Sequence, residues 1–257
     1  MTYTIRNKRR SMNIRIENLK KSFGEKTAVD INEFTIRDGD MLGLVGNNGA
    51  GKTTLFRLIL DLIKADEGQV AITLPANEQE PTGAPVVVNP ALSEDWKTYT
   101  GAYIDEGFLI DFLTPEEYFQ FIGKVNGMDK HAVEERLKDF EHFMNGEVLG
   151  QKKLIRNLSA GNKQKVGIIS TLMNRPQLVI LDEPFNFLDP SSQNNLKHLL
   201  KQHQQETGAT VLISSHNLAH TVDISNRIAL LEHGVIIRDL PNSEGSARNE
   251  LEAYFDQ

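Results

Sequence analysis

The segment Gly46-Asn47-Asn48-Gly49-Ala50-Gly51-Lys52-Thr53 constrains this chain more than any other. It satisfies the pattern G-x-x-x-x-G-K-[ST], and its setting is what that pattern requires. A short apolar run, Met41-Leu42-Gly43-Leu44-Val45, precedes it, and Leu55, Phe56, Leu58, Ile59, Leu62 and Ile63 follow at helical spacing up to Asp66-Glu67-Gly68. Glycines let successive backbone N–H groups turn inward as an anion nest, and the following helix aims its positive end at the same phosphates. The loop therefore implies a nucleoside triphosphate. Residues 46–54 are its expected cradle, with Lys52 on the β- and γ-phosphates, the Thr53 hydroxyl on Mg²⁺ and Thr54 beside it.

A second motif belongs to the same chemistry. Leu178-Val179-Ile180-Leu181-Asp182-Glu183-Pro184 puts two acids at the end of an apolar strand, the end that faces the phosphate crevice in a sheet of this type. Asp182 is expected to hold Mg²⁺ through water, and Glu183 to polarise the attacking water as general base. His216 ends the next apolar run, Thr-Val-Leu-Ile-Ser-Ser-His. Its spacing fits a γ-phosphate contact and an ordinary structural histidine equally well.

Composition narrows the class. The 257 residues carry 28 Lys and Arg against 35 Asp and Glu, a net charge of −7 that argues against a nucleic-acid partner. Cysteine is absent, which excludes disulfides, thiolate metal sites and thiol catalysis. No run of about 18 apolar residues suggests a membrane span. The basic start, with Lys8, Arg9 and Arg10, lacks the apolar stretch of a secretory signal, so a cytoplasmic location is expected.

Residues 1–11 read as a flexible tail, with Met12 a candidate start. Residues 13–19 and 33–37 are strand-like. Residues 75–98, with four prolines and several acids, read as a surface loop or hairpin arm rather than core. Thr114-Pro115-Glu116-Glu117 starts a helical block reaching 145: a cap, a first-turn proline, then acids. Strands at 178–181 and 210–213 flank a polar helix at 191–206, and 227–231 with 235–237 form a hairpin. Strand and helix alternation on both sides of a helical block implies a mostly parallel sheet with a helical insertion.

With these motifs in place, the chain resembles the nucleotide-binding subunit of ATP-binding cassette (ABC) transporters over residues 13–238. The distinguishing segment is Leu158-Ser159-Ala160-Gly161-Asn162-Lys163-Gln164, similar to the family signature L-S-G-G-Q and about 23 residues before Asp182. The resemblance implies an α/β P-loop NTPase fold: a RecA-like core, an N-terminal antiparallel β subdomain and an inserted α-helical subdomain at about 107–160. The cassette would span 12–240, followed by a C-terminal tail or helix at 241–257.

In that family two subunits meet head to tail, each ATP lying between one subunit's phosphate loop and the other's signature. Carried onto this chain, Ser159 and Gly161 would contact the γ-phosphate in trans, and Asp189 would match the loop that communicates between the sites. His216 would be the switch histidine. Phe23, in Lys-Lys-Ser-Phe-Gly, would stack on adenine, although strand packing is an alternative. Two positions depart from the pattern. The signature reads Ser-Ala-Gly-Asn, and Glu106, in Tyr103-Ile104-Asp105-Glu106, stands where the family has a glutamine near Mg²⁺.

Seven of the chain's 18 aromatics, Tyr99, Tyr103, Phe108, Phe112, Tyr118, Phe119 and Phe121, fall within 23 residues. Some would fill the helical subdomain, while the groove beside them accepts a cytosolic helix of the membrane subunit in transporters of this family. The implied function is MgATP hydrolysis that drives a separate membrane-spanning subunit, with a second cassette, identical or different, as partner. The chain would then sit on the cytoplasmic face of the membrane. The competing reading is a soluble ABC-type ATPase acting on a macromolecular complex. A single cassette, no long heptad run and the acidic balance weigh against it, and the absence of Asn-Lys-x-Asp weighs against a GTPase.

Overall fold

The computed structural model describes residues 12–75 and 85–255; the N-terminal tail reading falls outside them. Two sheets organise the chain. The first is antiparallel and has four strands in the order β2-β1-β4-β5. These are β1 (Ile14–Phe23), β2 (Lys26–Ile36), β4 (Glu67–Thr73) and β5 (Val87–Val88). Alternation buries Ile14 and Ile16, with Ile14 opposite both Ile36 and Ile72; the pairing with β4 then shifts register after Glu17, where Asn18 takes φ 48°, and Leu19 is the next buried residue.

The second sheet has six strands in the order β10-β9-β3-β8-β7-β6. They are β3 (Met41–Val45), β6 (Thr100–Tyr103), β7 (Leu178–Leu181), β8 (Thr210–Ser215), β9 (Arg227–Glu232) and β10 (Val235–Pro241). All are parallel except β10, which turns back on β9 as a hairpin. Every residue of β3, β7 and β8 is buried, as expected for strands covered on both faces. Helices α1 (Lys52–Ile59), α5 (Ala160–Leu172), α6 (Pro190–Thr207) and α7 (Leu218–Ile224) connect them. The α/β P-loop NTPase architecture read from the sequence is thus the architecture observed.

Between β6 and α5 lie α2 (Pro115–Val125), α3 (Lys130–Lys138) and α4 (Glu141–Met144). Thr114 caps α2 in a reciprocal capping box with Glu117, and Pro115 takes the first turn. Phe119, Val133, Phe140 and Phe143 pack in one core with Val179, Leu181 and Ile213, so the helical block shares its interior with the sheet. The C-terminal helix α8 (Arg248–Phe255) packs Leu251 against Val45, Val222 and Leu230.

Two readings change, and one strand goes unmarked in the sequence. The helical spacing ran to Ile63, but α1 stops at Ile59. Asp61 takes a left-handed φ of 51° and Leu62 N–H turns back to Arg57 O at 2.8 Å, so spacing outlasts the helix. Residues 75–98 are not only a surface arm. Val87 and Val88 pair with Thr73 and Ile72, and Trp96 is 4% exposed against Ile104 and Leu178. Its large apolar area outweighs the polar residues around it. Residues 76–84 lie outside the described part. Finally, β6 reads Thr-Gly-Ala-Tyr, too mild a pattern to mark a strand on its own; pairing with β7 creates it.

Candidate active site

The loop 46–51 joins β3 to α1 and lies at the carboxyl ends of the parallel strands. Gly49 and Gly51 hold φ of 81° and 112°, and a Cβ on Gly51 would fall 2.2 Å from Ala28 O, so no other residue fits there. The first turn of α1 has no side-chain cap and no acid. Its orphan N–H groups and dipole are therefore left for an anion from outside. Asn47, Asn48 and Gly49 are exposed, whereas Ala50 is buried and its N–H closes a turn on Asn47 O at 3.1 Å. Gly46 and Lys52 are also buried, and Thr53 and Thr54 are half-buried on α1.

Lys52 Nζ donates to Gly46 O at 2.7 Å and lies 3.5 Å from Glu183 Oε1. Thr53 Oγ1 donates to Asp182 Oδ2 at 2.5 Å. Asp182, 7% exposed, also accepts the Ser214 hydroxyl on Oδ1. Burial raises its pKa, the hydrogen bonds from Ser214 and Thr53 oppose the rise, and the neighbouring Glu183 adds to it. A buried carboxylate beside a hydroxyl is a hard-oxygen pair of the kind Mg²⁺ takes, with phosphates and water completing the sphere. These residues fit the ion. Among the described residues, no three His, Asp or Glu side chains converge into a protein-only metal cage.

Glu183 follows directly, with a left-handed φ of 47°. Its N–H donates to Ser214 Oγ at 2.8 Å, and its carbonyl accepts Gln164 Nε2 at 3.2 Å. His216 places Nδ1 2.9 Å from Glu183 Oε2 and donates its N–H to the same oxygen at 3.3 Å. Lys52, Thr53, Asp182, Glu183 and His216, scattered over 165 positions from 52 to 216, thus form one connected group.

The remaining candidates stand in other settings. Ser159 is the exposed N-cap of α5, its Oγ accepting Asn162 N–H at 3.2 Å. Gly161 lies under the chain after Asp182: a Cβ there would come within 2.6 Å of Phe187 O. Asn162, the altered fifth signature position, donates to Glu147 O at 3.3 Å. Asp189 caps α6, accepting the N–H groups of Ser191 and Ser192 and the Ser192 hydroxyl, which hold its carboxyl below the usual range. Phe23 is 54% exposed at the end of β1, with Lys21 Nζ 5.5 Å from its ring centroid. Core packing is therefore not what occupies it. Glu106 is exposed and paired with Lys163 Nζ at 3.0 Å, so its carboxylate is engaged by the signature helix rather than by the Thr53–Asp182 pair.

Two further side chains bond to this group without a role in the motif reading. Ser214 joins both acids through one hydroxyl, and Gln164, 6% exposed on α5, holds the Glu183 carbonyl. The signal for Ser214 was present: an otherwise apolar buried strand ends in two serines before His216. Of the aromatic group, Tyr103, Tyr118 and Phe119 are buried, while Phe108, Phe112 and Phe121 are 54%, 65% and 46% exposed.

Comparison with known proteins identifies the family and the fold. The family model for the ABC transporter matches residues 29–186. The bacitracin transport ATP-binding protein BcrA of Enterococcus faecalis is 32% identical over 248 residues, covering 95% of this chain and 74% of that protein. The linearmycin resistance ATP-binding protein LnrL of Bacillus subtilis is 31% identical, covering 87% of this chain and 68% of its own. Among solved structures, an ATP-binding subunit of an ABC transporter superposes with a TM-score of 0.74 at 24% identity, covering 93% of both chains. A bacterial ABC transporter cassette solved as a dimer gives 0.74 at 23% identity, covering 90% of this chain and 99% of that one.

Proposed function

The chain belongs to the ABC transporter family of ATP-binding subunits and is an ATPase of that family, and from this premise we propose that it powers a separate membrane-spanning subunit by clasping ATP between two cassettes. The observation that carries the reading is the connected group Lys52–Thr53–Asp182–Glu183–His216 set before the uncapped start of α1. Backbone N–H groups of the loop and Lys52 bind the phosphates, residues 46–54 forming the cradle. Thr53 and Asp182 are the residues that would hold Mg²⁺, which when bound spreads the charge of the β- and γ-phosphates. Glu183 accepts a proton from the attacking water, while His216, on the far side of that carboxylate, orients it and reaches the γ-phosphate.

Ser159 and Gly161, at the N-terminus of α5, contact the γ-phosphate bound by the second cassette, and Asp189, at the start of α6, belongs to the loop that communicates between the two sites. Nucleotide that binds only the paired form stabilises it by mass action. Loss of the γ-phosphate contacts releases it, and the membrane subunit follows because its states differ in affinity for the open and closed pair. Among the described residues no helix is long and apolar enough to cross a membrane. Phe108, Phe112 and Phe121 are exposed and supply apolar side chains that an amphipathic helix of the membrane subunit would bury, on the cytoplasmic side.

Copurification tests the reading. A tagged Glu183→Gln chain isolated from its host's membranes with ATP should carry a second cassette and a multi-span membrane protein; a monomer with neither would refute it. Two substitutions probe binding. Lys52→Ala removes the buried ammonium and should lower ATP affinity by at least about tenfold, roughly the loss of one charge-assisted hydrogen bond, in titration calorimetry. Phe23→Ala should weaken ATP binding while leaving the affinity for inorganic triphosphate unchanged, because only adenine would meet the ring. Equal losses for both ligands would assign Phe23 another role.

A further inference from the structure

The segment that follows β7 is held against its own backbone preference. Glu183 and Phe187 both carry side chains at positive φ, 47° and 61°. That geometry persists only where the surroundings over-determine it. On the inner side Ser214 and Gln164 fix the Glu183 peptide, and Asn186 N–H closes a turn on Glu183 O at 3.1 Å. On the outer side lies a ring stack. Phe185, 3% exposed, packs on the imidazole of His220 with ring centroids 4.8 Å apart and planes 26° apart.

The positions of these two rings connect the acid to the histidine. Phe185 is two residues after Glu183. His220 is four residues after His216, in the first turn of α7, whose start is fixed by the Asn217 side chain accepting Ala219 N–H at 3.0 Å. The stack therefore ties together the two segments that carry the 2.9 Å Glu183–His216 contact. The imidazole serves here through its face. Its Nδ1 is buried without a hydrogen-bond partner, and burial, with Lys197 nearby, lowers its pKa.

We propose that the Phe185–His220 stack is the brace that keeps Glu183 in line with His216, which makes His220 a positioning residue for ATP hydrolysis. It rests on the assignment of Glu183 as base. A small displacement of a catalytic group by a change outside the chemistry can cost on the order of 10²-fold in rate. The brace acts on the base and not on the phosphate cradle, so its loss should appear in kcat and not in ATP binding.

The test is steady-state ATP hydrolysis by the full chain, with binding of a fluorescent ATP analogue and thermal melting in parallel. His220→Ala and His220→Leu should lower kcat by about 10–100-fold with KM and analogue affinity nearly unchanged. His220→Phe restores a stackable ring and removes the orphaned nitrogen, so it should recover kcat and melt higher than wild type. Phe185→Leu should match His220→Leu, and the double variant should lose no more than either single one, because both remove the same contact. If His220→Ala does not fold, the two leucine variants carry the comparison. Wild-type kcat in the folded leucine variants, a rise in KM alone, failure of His220→Phe to recover kcat, or additive losses would overturn the brace. Undiminished turnover by Glu183→Gln measured alongside would overturn the assignment of the base itself, and the brace with it.

Discussion

Glu183→Gln should reduce ATP turnover by about 10²–10⁴-fold, the usual contribution of a positioned general base, and leave ATP binding intact. The amide is nearly isosteric, so the peptide contacts to Ser214 and Gln164 stay in place and Lys52 remains beside the phosphates. Removing the carboxylate charge 3.5 Å from Lys52 Nζ also frees that ammonium for the γ-phosphate. Bound ATP then turns over slowly, and the pair of cassettes it bridges should accumulate. Size-exclusion chromatography with light scattering should show a dimer with ATP and a monomer with ADP. Undiminished turnover would remove Glu183 from the role of base.

Arg227→Met should be the most destabilising of the single changes considered, through a site remote from the chemistry. Arg227, at the start of β9, is 8% exposed. It grips Asp239 with two hydrogen bonds of 2.7 Å, donates to Asp40 at 2.6 Å and to Thr35 O at 2.9 Å, and stacks on Phe34. One guanidinium therefore joins the antiparallel sheet to the six-stranded one. Methionine fills much of the volume but leaves Asp40 nearly buried without its counter-charge. Breaking a buried pair on one side costs about 3–5 kcal/mol. Asp239 is 41% exposed and partly screened, which argues for the lower end. For a chain of this length each kcal/mol lowers Tm by about 2–4 °C, so a fall of about 6–12 °C is expected in calorimetry. An unchanged Tm would show that water replaces the guanidinium at no cost.

Sequence alone was informative wherever function sits on consecutive residues. The glycine loop, the Asp182-Glu183 pair after its apolar strand, the Thr114 cap and the Ser159 signature each depend on geometry set within a turn or two of chain. Backbone sterics and local hydrogen bonds decide such geometry, so a few residues suffice to announce it. The α/β class was legible for the same reason, because burial on both faces writes itself as continuous apolar strands.

Contacts between distant residues were not legible, because they depend on which strands become neighbours. Ser214 meets Asp182 only since β8 lies beside β7, and β6 exists as a strand only because β7 pairs with it. Lys163 claims Glu106 across the helical region, and Trp96 enters the core against Ile104 and Leu178 although its own segment looks like surface. The order of the sheet brings those groups together, and nothing in a local pattern encodes it. The sequence thus determined the chemistry this protein carries. The tertiary structure decided which other side chains hold that chemistry in position, since only the packed chain fixes distances between residues far apart in sequence.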